Sequence, residues 1–164
     1  MRADRDVVLT WRNLHLADEA VRRILDRRLA RDVGCSLLEH DLLDRLAAEP
    51  RRRLQMLELA DLLGVTRGGL TRIVDRLAAR GWIERDRPAS NRRAVYAVLT
   101  PDGRHAIEQA RTIYLGVLKE TLGTCLNKEE RGKLARIASK LLGALAGRDP
   151  VLDARAWRPE RRSS

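Results

Sequence analysis

Residues Leu59 to Leu77, LADLLGVTRGGLTRIVDRL, decide how this chain is read. Leu59, Leu62 and Leu63 mark one face of a short helix. Gly64 follows where a helix ends on a residue at positive φ, a conformation free of steric cost only without a Cβ. Val65 fills a turn. The Thr66 hydroxyl then stands ready to accept an orphan N–H from the first turn of a second helix. In that helix Leu70, Ile73, Val74 and Leu77 recur at i, i+3, i+4 and i+7, a single apolar stripe. Ala60 is small where the two helices must cross. The pattern is a helix-turn-helix. Opposite the stripe stand Gly68, Thr71, Arg72, Asp75 and Arg76, flanked by Arg67. That face is cationic and rich in hydrogen-bonding groups, as suits a helix lying in the major groove of DNA. Gly68 and Gly69 each cost a helix about 1 kcal/mol relative to Ala. Close approach of the backbone to DNA and packing that tolerates two weak positions are both open readings.

Towards the N-terminus, Val7, Trp11, Leu14, Val21, Leu25 and Leu29 recur at helical spacing from about Asp4 to Leu29, and Gly34 ends that helix. Ser36-Leu37-Leu38-Glu39 is a capping box, so a second helix starts there and runs to about Ala48, closed by Pro50. Arg51 to Leu54 reads as a brief strand. Leu57 stands about where the next helix needs a cap; a missing cap costs about 1 kcal/mol, so Leu57 is expected to be held by packing.

Towards the C-terminus, Gly81 stops the second helix of the pair and Trp82 to Arg85 begins a strand. Pro88 to Asn91 is turn composition, and Arg93 to Leu99 is the return strand. A hairpin bearing Arg85, Arg87, Arg92 and Arg93 directly after a recognition helix is the wing of a winged helix, suited to the minor groove. Thr100-Pro101 starts a further helix, with Pro at its permitted first position, carrying apolar residues from Ile107 to Leu122. Asn127, with Glu130 three places on, starts the last, whose stripe runs from Leu134 to Leu145. These stripes exceed what a winged domain buries. The expected fold is therefore mainly α with a small β-hairpin wing: a winged helix-turn-helix over 35–100, and a helical dimerisation bundle from 1–34 and 101–146. The stretch 147–164, with Arg155, Arg158, Arg161 and Arg162 and no periodicity, reads as a basic flexible tail.

Composition narrows the function. The 164 residues are 44% apolar, yet only 3% aromatic with no Phe, so the core must be Leu, Val, Ile and Ala. The formal net charge of +10 favours a polyanionic partner. No apolar run approaches a membrane span and the N-terminus has no signal-peptide pattern, so the expectation is a soluble, cytoplasmic protein without a membrane partner. Cys35 and Cys125 make neither a metal spacing nor a disulfide framework. No paired-carboxylate, Ser/His/Asp or phosphate-loop constellation occurs. An enzyme is not expected, nor a cofactor or metal.

The run from Leu59 to Arg104, LADLLGVTRGGLTRIVDRLAARGWIERDRPASNRRAVYAVLTPDGR, resembles the DNA-binding core of the MarR family of bacterial transcription regulators. The motif VDRLxxRGWIxR followed by xRRxxxxxLTPxG carries the likeness, and the helix order around it agrees from about Val7 to Leu145. The resemblance implies a homodimer on a pseudo-palindromic operator, one recognition helix per half-site, more often a repressor. It also implies release by a small phenolic or other aromatic ligand. Arg67, Thr71 and Arg72 are assigned to base edges and Arg76 to phosphate, with Arg51 to Arg53 as weaker phosphate candidates. Arg93 with Arg92 is assigned to the minor groove, and Thr66, Gly68 and Asn91 complete the DNA-facing set. Asn91 departs from the family, which has an acid two places before its wing arginine; Asp86 is the candidate substitute charge.

Trp11 and His15, one turn apart with Arg12 beside them, and His40 in the second helix form the candidate effector site. Ring, imidazole and guanidinium would suit a planar aromatic acid. The alternative makes Trp11 a core residue and the histidines ordinary partly buried or surface groups. Cys35 precedes a helix N-terminus, which can lower a thiol pKa, but it also stands where an apolar residue could staple the helix start, with no resolving partner evident. A winged-helix adaptor that binds an acidic protein is the competing function. Salt and sequence dependence of duplex binding separates it from a regulator.

Overall fold

A computed structural model describes residues 2–89 and 94–146. Asn91, Arg92, Arg93 and the tail from 147 onward, all assigned above, lie outside the described residues. The elements are α1 (Arg2–Asp32), α2 (Leu37–Ala48), β1 (Arg53–Gln55), α3 (Met56–Leu63), α4 (Arg67–Ala79), β2 (Ile83–Asp86), β3 (Tyr96–Leu99), α5 (Pro101–Leu118) and α6 (Lys128–Ala146), with a π-helical turn at Lys119–Gly123 between the last two.

The local signals form as the sequence predicts. Ser36 and Glu39 close a reciprocal capping box at the start of α2. Gly64 takes the left-handed conformation at φ 66° after α3. Thr66 caps α4 by accepting from the Gly69 N–H at 3.1 Å. Thr100 caps α5, with Pro101 in its first turn. Asn127 and Glu130 exchange side chain-to-backbone bonds at the head of α6.

α3 starts differently from expectation. Gln55 occupies the cap position and gives no side-chain cap. The chain just before β3 offsets the loss instead: the Met56 N–H donates to the Val95 carbonyl at 2.8 Å. Leu57 is not held by packing, being 42% exposed.

The three strands form one antiparallel sheet in the order β1-β3-β2. Leu54 pairs with Ala97, and Ile83 with Leu99. The return strand is shorter than the sequence suggests, because Ala94 and Val95 precede rather than join β3. Side chains alternate across a strand, so Leu54, Ala97, Leu99 and Ile83 face the core, all buried, while Arg53, Tyr96 and Asp86 share the outer face. There the Arg53 guanidinium lies 4.4 Å over the Tyr96 ring and 3.1 Å from Asp86 Oδ2.

One core unites the helix-turn-helix with the C-terminal part of α1. Leu29, Leu42, Leu43, Leu59, Val74 and Leu77 are all fully buried. Each such leucine contributes about 1.5–3 kcal/mol by leaving water. The rest of α1 behaves otherwise. Val7, Val8, Trp11, Leu14 and Leu16 are exposed, Trp11 at 66%, so it is not a core residue of this chain. α6 likewise presents Leu134, Ile137, Leu141, Leu142 and Leu145 to solvent.

Candidate nucleic-acid interface

The apolar stripe of α4 fixes which face it shows. Leu70, Ile73, Val74 and Leu77 are buried, which leaves Arg67, Gly68, Thr71, Arg72, Asp75 and Arg76 exposed on the other side. The two weak positions now separate. A Cβ at Gly69 would stand 3.1 Å from the Thr66 cap oxygen, whereas one at Gly68 would meet nothing within 4 Å. Gly69 therefore has an internal reason. Gly68 has none, and its open surface is what close approach to another molecule requires.

The exposed side chains are not equally available. Thr71 donates its hydroxyl to the Arg67 carbonyl one turn back, at 2.9 Å. Its lone pairs remain for a donor. Arg76 is drawn off the helix: its Nε donates to Oε1 of Glu39 on α2 at 3.0 Å. Its side chain is still 55% exposed, so the η nitrogens are what it has for a phosphate. Arg72 forms no ion pair among the described residues, and neither does Arg67.

The strands behind α4 hold it in place. Arg85, expected on the wing loop, lies on β2 and reaches across to α4. It lies 2.7 Å from Asp75 Oδ1 and donates to the Thr71 carbonyl at 3.4 Å. Asp86 pairs with Arg53 at 3.1 Å, which makes Arg53 a clamp between strands; the wing arginines that Asp86 was expected to orient lie outside the described residues. Arg51 and Arg52 are exposed. At the foot of α5, Gly103 sits so close to Trp82 that a Cβ would approach its carbonyl oxygen to 2.0 Å. Thr100 ties the same place, donating its hydroxyl to the Gly81 carbonyl at 2.6 Å and its N–H to the Trp82 carbonyl at 3.1 Å. Gln55, Met56, Leu57, Arg67, Leu70, Thr71 and Val95 line an open, largely apolar groove of about 250 Å³ beside the start of α4.

The candidate effector residues fall into two settings. Trp11 and His15 stack on the exposed part of α1, with ring centroids 6.0 Å apart and Arg12 exposed beside them. His40 is 4% exposed. Its ring lies parallel to Tyr114 of α5, with centroids at 4.6 Å and an interplanar angle of 4°. Its Nδ1 is 3.1 Å from Asp41 Oδ1, and its Nε2 is buried without a partner among the described residues. Burial, followed by the nearby Asp41 and Asp44 charges, pushes the Tyr114 hydroxyl above its ordinary pKa. Tyr114 was legible only as part of the α5 stripe, and Glu39 only as a cap. Neither spacing carries any signal for the partners they meet across the fold.

Cys35 is buried, and burial above all, then the Glu39 charge, pushes its thiol up to about 11. That is the environment of an apolar staple rather than of a reactive thiolate.

The profile of the MarR family matches residues 33–94. The multiple antibiotic resistance protein MarR of Salmonella typhimurium is 38% identical over 85 residues, which is 52% of this chain and 59% of that protein. The transcriptional repressor MprA of Escherichia coli is 33% identical over 100 residues, 61% of this chain and 56% of that protein. The chain thus spans a little over half the length of these curated relatives. Likeness over the whole fold comes from Sco3205, a MarR family transcriptional regulator of Streptomyces coelicolor whose crystal structure is in complex with DNA. It is 32% identical, with a TM-score of 0.74 over 84% of this chain and 86% of that one. From residues 33–94 outward to nearly the full set of helices, the chain belongs to the MarR family of transcriptional regulators.

Proposed function

We propose that this chain acts as a homodimeric, sequence-specific DNA-binding regulator on a pseudo-palindromic operator, more often repressing than activating. One α4 serves each half-site. The observation that carries the reading is the division of α4: its stripe is buried, while Arg67, Gly68, Thr71 and Arg72 stand clear on the opposite face. Arg67 and Arg72 are assigned to base edges with Thr71. Arg76 reaches phosphate through its outward nitrogens, Thr66 and Gly68 let the helix start approach the backbone, and Asn91, Arg92 and Arg93 enter the minor groove. Sco3205, in complex with DNA, supports the reading.

A second copy is the occupant proposed for the exposed apolar residues of α1 and α6, since contiguous apolar surface of this kind marks an interaction face. A planar aromatic acid is proposed as effector, placed by the Trp11–His15 stack with Arg12, or against the orphaned His40 Nε2. It acts only if it favours an arrangement of the two α4 helices that does not fit the operator. Such a protein works where the chromosome is, in the cytoplasm.

Selection of bound duplexes from a random pool, followed by anisotropy at several salt concentrations, tests the proposal. The expected result is an inverted repeat with half-site centres about one helical turn apart, and binding that weakens steeply with salt. Recovery of no motif, with binding that vanishes near physiological salt, would replace the regulator by the adaptor reading.

A further inference from the structure

A single carboxylate joins two helices that are far apart in sequence. Glu39 on α2 is 3% exposed. Its Oε2 accepts from the Ser36 N–H at 2.9 Å, completing the capping box. Its Oε1 accepts from Arg76 Nε on α4 at 3.0 Å. The same end of α2 is held from α1, because the Leu37 N–H donates to Asp26 Oδ1 at 2.7 Å. One turn beyond Arg76, Arg80 donates from Nη1 to the Gly34 carbonyl at 2.5 Å. The exposed face of α4 is therefore fixed, through side chains, to the corner between α1 and α2.

Burial alone would raise the Glu39 pKa. The Ser36 N–H and the Arg76 guanidinium outweigh it and hold the carboxyl below its ordinary range. A guanidinium is planar, so fixing its Nε on a buried oxygen fixes the plane and the direction of its outward nitrogens.

We propose that Glu39 is a positioning residue for DNA recognition: acting through Arg76, it sets how α4 is oriented on the α1–α2 corner and aims Arg76 at a phosphate. The inference rests on the DNA-binding reading above. Phosphate contacts carry no sequence information but register the helix over the bases. A misdirected Arg76 should therefore cost sequence preference, although Arg76 touches no base. The sign separates this from simple electrostatics. A carboxylate near DNA repels phosphate, so neutralising it should tighten binding to every duplex. Positioning demands the opposite for the preferred duplex alone.

The probes are the tightest duplex selected by the wild-type chain and a scrambled duplex of equal length, both read by anisotropy at one salt concentration. Glu39→Gln keeps an acceptor for the Ser36 N–H and removes the charge that holds Arg76. Arg76→Lys keeps the charge on an exposed side chain but lacks the planar fork. Each should weaken the selected duplex by about tenfold or more and leave the scrambled duplex unchanged or tighter. The double variant should be no worse than either single. Should Glu39→Gln melt below the assay temperature, Arg76→Lys decides alone. Equal effects on both duplexes, or a double variant whose loss is the product of the two single losses, overturn the inference while the regulator reading stands. A wild-type chain that selects no duplex overturns both.

Discussion

Arg85 of β2 and Asp75 of α4 meet at 2.7 Å, so the first strand of the hairpin is fastened to the edge of the exposed face of α4. The pair is partly exposed, and exposed pairs contribute about 0–1 kcal/mol. Arg85→Ala should therefore change urea-unfolding stability by no more than about 1 kcal/mol, while hydrogen exchange in Ile83–Asp86 speeds up. A loss of stability well beyond that, with unchanged exchange, would show that the contact supports the core rather than the wing.

Arg72 is exposed on the outer face of α4 and carries no internal ion pair among the described residues. If it reads a base, Arg72→Ala should lose about 1–3 kcal/mol of discrimination and leave binding to scrambled duplex nearly unchanged. Competition between the selected duplex and variants substituted at each position measures it. A uniform loss across all duplexes would show that Arg72 contributes its charge rather than a base contact.

Gly103 admits no side chain, since a Cβ would lie 2.0 Å from the Trp82 carbonyl oxygen and 2.8 Å from Leu99 Cδ1. The backbone there is also tied by Thr100. Gly103→Ala should destabilise the fold by about 3 kcal/mol or more, the upper end for overpacking, as read from denaturant midpoints. A loss under about 1 kcal/mol would mean that α5 can shift away from Trp82 at little cost.

Cys35 should be inert and Cys125 reactive. With its thiol pushed up to about 11, Cys35 holds its proton throughout the neutral range, whereas Cys125 is exposed. Timed alkylation followed by peptide mass spectrometry should label Cys125 first and reach Cys35 only on unfolding. The linkage has a definite sign. The folded state keeps the Cys35 proton that the unfolded state sheds near its ordinary value of 9.0, so this contribution to stability declines as pH rises from there towards 11. Rapid labelling of Cys35 in the folded chain at neutral pH would show that its thiol is accessible and reactive after all.

What the sequence made legible was local. Gly64, the Thr66 cap, the Ser36–Glu39 box, Thr100-Pro101 and the stripe from Leu70 to Leu77 are each set by neighbours within about one helical turn, and periodicity reports such neighbours. Family motifs extended the reading to the fold as a whole. The interface was only partly legible, because its final arrangement depends on partners far along the chain. Arg76 pairs with Glu39 across 37 positions, and Arg53 with Asp86 across 33. Both arginines read from sequence as free cations. The Met56 N–H bond to Val95 replaced the packing expected at Leu57 for the same reason. Trp11 failed in the other direction: its helical spacing marks an apolar face, but spacing does not say whether that face is covered by the same chain.

The order β1-β3-β2 has a consequence for how the molecule assembles itself. The two edge strands flank the helix-turn-helix in sequence, yet neither bonds to the other; both bond to β3, which is synthesised after them. Helices α3 and α4 can form from local interactions, but the angle between them and the wing is settled only once Tyr96 to Leu99 slides between its neighbours and closes a loop around the whole motif. Loop closure of this kind slows folding relative to purely helical contacts. The face built from α4 and the strands should thus be the last part to acquire its shape. In pulse-labelling hydrogen exchange during refolding, Arg53–Gln55 and Ile83–Asp86 should gain protection together, after the helices.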